Sequence, residues 1–116
     1  MALKKFMERL TKPTDEIDRE KLTSWCDVRG GTPLDAVEYR SPVFVAGEVR
    51  SVRIVPRAGA DALEATVMDG RGAITAVFLG RRRIGGFTPG RRVVLEGVVT
   101  KHGAERFMYN PIYTLE

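Results

Sequence analysis

From Val43 onward, apolar residues recur at every second position. A stretch that alternates this way buries one face of a sheet rather than one stripe of a helix. Val43, Val45, Gly47 and Val49 share one parity, and Val52 and Ile54 then take the other. A slip of one inside an unbroken strand is what a bulge produces, and a bulge bends the strand sharply. Four further runs follow at 62–69, 73–79, 92–100 and 106–115, the last broken near Pro111, where proline suits an edge strand or a strand end. Asp69-Gly70-Arg71-Gly72 is a hairpin signal, because Asp-Gly accepts the left-handed angles of a tight turn. Residues 56–61 and 101–104 read as polar loops, and 80–87 as a loop or one helical turn.

The first forty residues have a different rhythm. Leu3, Phe6, Met7 and Leu10 fall at the spacing of a short amphipathic helix, which Pro13 interrupts. Thr14 is placed to cap a second helix, whose thin apolar face is Ile17, Lys21, Leu22 and Trp25 and which Gly30-Gly31 ends. Short helices with so little apolar surface do not stand alone in water. They are expected to dock on the following module, with Trp25 as the anchor, or on another chain. Residues 32–42 read as a linker or an irregular extended arm. The expected organisation is an N-terminal helical extension and linker over 1–40 and a β module over 41–116.

Five short strands cannot leave two open edges and a bare apolar face, so a sheet of this size is expected to close on itself. A first strand bent at a bulge and an interruption between the third and fourth runs match the five-stranded OB-fold, a Greek-key barrel. The fold class expected is therefore all-β with an N-terminal helical extension. An SH3-like barrel is the competing topology, but it would not carry the Gly80-Arg81-Arg82-Arg83 insert. With 116 residues there is room for one such module and little else.

The motifs Val45-Ala46-Gly47-Glu48-Val49, Met68-Asp69-Gly70-Arg71-Gly72-Ala73-Ile74, Val77-Phe78, Pro89-Gly90-Arg91-Arg92-Val93, Leu95-Glu96-Gly97-Val98-Val99 and Asn110-Pro111 stand in order along the chain. Together they resemble the OB-fold nucleic-acid-binding family that includes anticodon-binding domains and the wedge domain of the branched-DNA helicase. The resemblance spans about residues 43–115 and leaves the first forty outside. It implies a small bacterial protein that binds nucleic acid. In that fold the ligand lies across the second and third strands, between the loops that follow the first and fourth.

Charge agrees with such a partner. Net charge is +4, and residues 41–116 hold the whole excess, with 11 basic against 7 acidic side chains. All but one of those bases are arginine, the planar donor suited to phosphate and to stacking on bases. Arg50, Arg53 and Arg57 flank the end of the first strand, Lys101, His102 and Arg106 the second framing loop, and Arg81, Arg82 and Arg83 form the densest cluster. Thr66, Phe78 and Tyr109 are the candidates to meet bases on the strand faces. Phe78 also suits the core of a small barrel.

Enzyme motifs are missing from the sequence: there is no phosphate loop, no H-E-x-x-H, no G-x-S-x-G and no C-x-x-C. One cysteine and one histidine offer neither a disulfide nor a zinc cage, and no cofactor is expected. No apolar run is long enough for a membrane span, and the N-terminus does not read as a secretory signal, so a cytoplasmic protein is expected. The expected role is non-catalytic binding of nucleic acid, DNA or RNA, favouring single strands with low sequence specificity. The alternative is a protein-interaction or accessory module that uses the barrel and the N-terminal amphipathic helix to hold a partner or a second copy.

Overall fold

The computed structural model describes residues 14–116. The amphipathic stripe of Leu3, Phe6, Met7 and Leu10 lies outside them. The described residues form one helix, α1 (Thr14–Arg29), a 3-10 turn (Leu34–Ala36) and six strands. The strands are β1 (Pro42–Arg57), β2 (Ala60–Met68), β3 (Ala73–Leu79), β4 (Arg92–His102), β5 (Glu105–Tyr109) and β6 (Ile112–Leu115).

β1 is the strand that makes closure possible. Its first half pairs antiparallel with β4, from Pro42 against Val98 to Glu48 against Arg92. Its second half pairs antiparallel with β2, and the register shifts between Val49 and Ser51. Arg50 is the extra residue, as the change of parity in the sequence predicts. One strand therefore serves two neighbours, and the order β1-β2-β3-β5-β4 returns to β1 to close a ring of five. β3 and β5 meet in parallel, Thr75 against Phe107 and Val77 against Tyr109. Gly47 sits where β1 crosses β2 most closely; a Cβ there would come within 2.6 Å of Val67 and 2.8 Å of the Met68 carbonyl oxygen.

The interior of the ring is filled by the residues whose alternation marked the strands: Val45, Val49, Leu63, Ala65, Val67, Ile74, Ala76, Val93, Leu95, Val99 and Met108. The segment between β3 and β4 has no helical turn, and its Ile84 and Phe87 are buried in this same core. Phe78, Phe87 and Tyr113 meet edge to face there, with ring centroids 5.3–5.6 Å apart.

Three expectations are corrected. The fifth run is two strands, because Asn110 takes φ +48° and Pro111 follows it, breaking the chain between β5 and β6, which pair in turn along one edge of β4. The loop after the first strand is only the two-residue turn Ala58-Gly59, both with positive φ, so the β1–β2 ladder runs to its tip. Residues 32–42 are no slack linker: Leu34 is fully buried in the ring, and the Thr32 N–H donates to the Phe44 carbonyl.

α1 lies on the outer surface of β1 and β4. Leu22 and Cys26 are buried against Ala46 and Val94, with Trp25 and Phe44 packed beside them. Trp25 thus anchors the helix as the sequence suggests, and the Arg92 guanidinium sits 5.0 Å from its ring centroid. Arg71 grips Asp27 through two hydrogen bonds of 2.9 and 3.0 Å, which hold the Asp27 carboxyl below its usual range. No helix among the described residues is long and apolar enough to cross a membrane.

Candidate nucleic-acid interface

Because side chains alternate, the outer face of the β2–β3–β5 sheet is set by register. Ser51, Thr66, Thr75 and Phe107 form one row across β1, β2, β3 and β5. Arg53, Glu64, Val77 and Tyr109 form the next. The first row floors an open groove of about 380 Å³, with Arg53 on one side and Arg106 on the other. Ala104 and Glu105, at the β4–β5 turn, form part of its rim. Hydroxyls, an aromatic ring edge and two cations meet there without a buried pocket.

Arg106 crosses beneath the groove, donating from Nη1 to the Ala73 carbonyl oxygen at 3.3 Å. Its Nε is buried and has no acceptor. No carboxylate among the described residues pairs with it, so its charge is available to a ligand. His102 stands edge-on to Phe107 at 5.2 Å, and Lys101 lies 5.6 Å from the Tyr39 ring. Both are exposed on the hairpin beside the groove.

The second row contains what sequence reasoning missed. Glu64 is only 2% exposed although it points to the outer face. It accepts a hydrogen bond from Arg53 at 3.2 Å through one oxygen and from Arg57 through the other. That second bond raises the Arg57 pKa, so the guanidinium stays charged. Arg57 also donates to the Tyr109 hydroxyl at 3.1 Å and lies 5.6 Å from the centroids of both Phe107 and Tyr109. Those two rings stack on each other, 22° from parallel, over buried Ala62 and Val77. Counting back from the Ala58-Gly59 turn would have set Arg53 opposite Glu64, but only packing shows that the acid is covered.

The remaining candidates go elsewhere. Phe78 is a correction: it is 5% exposed, inside the ring against Phe87 and Tyr113, and meets no ligand from there. Arg50, aimed sideways by the bulge, lines a different cleft of about 510 Å³ with Asp18, Arg19, Met68 and Arg71, and stands 3.7 Å from Glu48. Arg81, Arg82 and Arg83 are exposed just past the end of β3, where the Gly80 N–H bonds the Asp61 carbonyl. Arg82 pairs with Asp61 at 3.3 Å; Arg81 and Arg83 have no acidic partner among the described residues. The segment from Gly80 to Arg91 holds four arginines and no acid. It begins about 16 Å beyond the groove floor, the length of five residues of strand.

Among the described residues no group of histidine, cysteine and acidic side chains could hold a metal ion. No protein-family model matches this chain. No curated protein matches it significantly either.

Proposed function

We propose that the ring is an OB-fold and that the chain binds single-stranded nucleic acid, without catalysis, across the outer face of β2, β3 and β5. Several features support the fold assignment: the ring order, the parallel β3–β5 pairing and a first strand shared between two neighbours across a bulge. An SH3-like barrel does not account for that parallel pairing.

The observation that carries the functional reading is the groove floored by Ser51, Thr66, Thr75 and Phe107 between Arg53 and Arg106. Single strands need cations that follow the backbone and flat surfaces that take bases, with hydroxyls able to meet either. The groove offers the cations and the hydroxyls, the adjoining row with Arg57 and half-buried Tyr109 offers flat groups, and the acid-free arginine segment 80–91 extends the positive track beyond β3. Low sequence preference follows, since few side-chain amides or carboxylates are free on this face to read base edges.

Fluorescence anisotropy with a labelled strand of about twenty nucleotides, single and double stranded, tests the reading. Binding is expected to favour the single strand and to weaken steeply as salt rises, because arginines displace condensed counterions. Absence of binding to either form in dilute salt overturns it. The fold assignment has its own test, a structure in which β3 and β5 are not neighbours.

A further inference from the structure

Glu64 has no part in the groove as described, yet the protein buries its carboxylate under an exposed face. Burying an acid is costly unless its lone pairs are taken, and here two arginines take them. The two do not gain alike. Arg53 stays 74% exposed, free to move. Arg57 is only 30% exposed and is held at three points: Glu64 at Nε, the Tyr109 hydroxyl at Nη1, and the Phe107–Tyr109 rings beneath.

A guanidinium fixed over aromatic rings is a flat surface of defined height with its remaining face toward solvent. Phe107 is covered to 7% exposure and Tyr109 is half-buried, with the Arg57 guanidinium lying over both. A base arriving along β2 and β3 meets the Arg57 plane where it covers these rings. Stacking on arginine planes is an established way to hold unpaired bases.

Resting on the reading of this face as a single-strand site, we infer that the Arg57 guanidinium is the base-stacking platform of the protein, and that Glu64 and Tyr109 are positioning residues that hold it flat. The ligand class is an unpaired nucleobase, and Arg57 contributes through its plane as well as its charge. Lysine in its place keeps the charge and loses the plane.

The test compares an oligothymidylate with an abasic strand of equal length, which has the same phosphates and no bases. Wild-type protein is expected to prefer the base-bearing strand by about tenfold, the effect of one stacked base. Arg57→Lys removes most of that preference while leaving affinity for the abasic strand within about twofold, since the cation remains. Arg29→Lys, at the end of α1 and away from this face, leaves the preference intact. Tyr109→Phe, which removes one hydroxyl and no ring, reduces the preference about threefold, the loss of one hydrogen bond, and decides the matter if Arg57→Lys does not fold. Equal weakening toward both strands makes Arg57 a phosphate contact and overturns the inference while leaving the proposed function standing. Wild-type protein that binds neither strand overturns both.

Discussion

The Leu34 backbone N–H donates to the Asp69 carboxylate at 2.8 Å, joining the segment before β1 to the β2–β3 hairpin across 35 residues of sequence. Asp69 is 1% exposed, and its other oxygen accepts the N–H groups of Arg71 at 2.8 Å and Gly72 at 2.9 Å. One side chain therefore shapes the turn and fixes the buried Leu34 plug of the ring. Asp69→Ala is expected to cost about 2–4 kcal/mol, since it strands at least one buried donor. Asp69→Asn should cost less, because its amide oxygen still accepts. Urea unfolding checks both, and an alanine variant within about 0.5 kcal/mol of wild type would contradict the assignment.

The same hairpin is the seat of the helix. Gly70 has φ +89°, and a Cβ there would collide with Thr23 Oγ1 and come within 3.2 Å of the Arg19 carbonyl oxygen. Thr23 Oγ1 also donates to the Asp69 carbonyl oxygen at 3.3 Å. Gly70→Ala thus meets strained backbone and a close neighbour together. It should lift α1 from the sheet, seen as a shift of Trp25 fluorescence toward that of water-exposed indole. An unchanged emission maximum would show that the helix does not rest on this turn.

Much of this architecture is legible in the spacing of Val43 to Val55. The change of parity marks the bulge at Arg50, and a bent strand shared by two neighbours leads directly to a closed ring. The role of Asp69 is only half legible: Asp-Gly announces a tight turn, but the bond to Leu34 depends on a chain segment far off in sequence. Leu34 stands with Val37 in a short stretch of mixed polarity, and no sustained period there distinguishes a plug from a linker. The site follows the same pattern. Thr66, Arg53 and Arg106 reach the groove because strand parity and loop position put them there. Phe78 shares a strand with Thr75 but has the opposite parity, which alone consigns it to the interior. Covered Glu64 and the rings under Arg57 depend on three strands meeting, and that is invisible to local pattern.

Cys26 gives a pH-dependent prediction. Its Sγ donates to the Ala46 carbonyl oxygen at 3.1 Å, and burial, with nearby Asp69 adding to it, raises the thiol from 9.0 to about 11. At neutral pH a thiol-specific reagent should label native protein about a hundredfold more slowly than urea-unfolded protein, in proportion to the smaller thiolate fraction. The folded state keeps its proton between pH 9.0 and about 11 while the unfolded chain gives it up. The unfolded chain then binds fewer protons, so this contribution to stability is intact below pH 9.0 and is lost as pH rises toward 11. Cys26→Ser, whose hydroxyl does not ionise in this range, should flatten that part of the stability profile. A profile that keeps the same fall in the serine variant would assign it to another group.

Arg81 and Arg83 supply the most direct test of the track beyond the sheet. Neither has an acidic partner among the described residues to compete with phosphate, whereas Arg82 must first leave Asp61. Replacing both by glutamine removes two cations from an exposed segment whose buried Ile84 and Phe87 still hold it to the core. Stability should therefore change by less than about 0.5 kcal/mol. If each guanidinium meets one phosphate, the slope of log affinity against log salt becomes shallower by about 1.4 for a single strand, about 0.7 for each phosphate no longer neutralised. That change should vanish for strands too short to leave the groove, because the segment that carries these arginines begins about 16 Å past its floor. An unchanged slope with long strands would confine binding to the sheet face and leave this arginine cluster a solvated cap on the end of the ring.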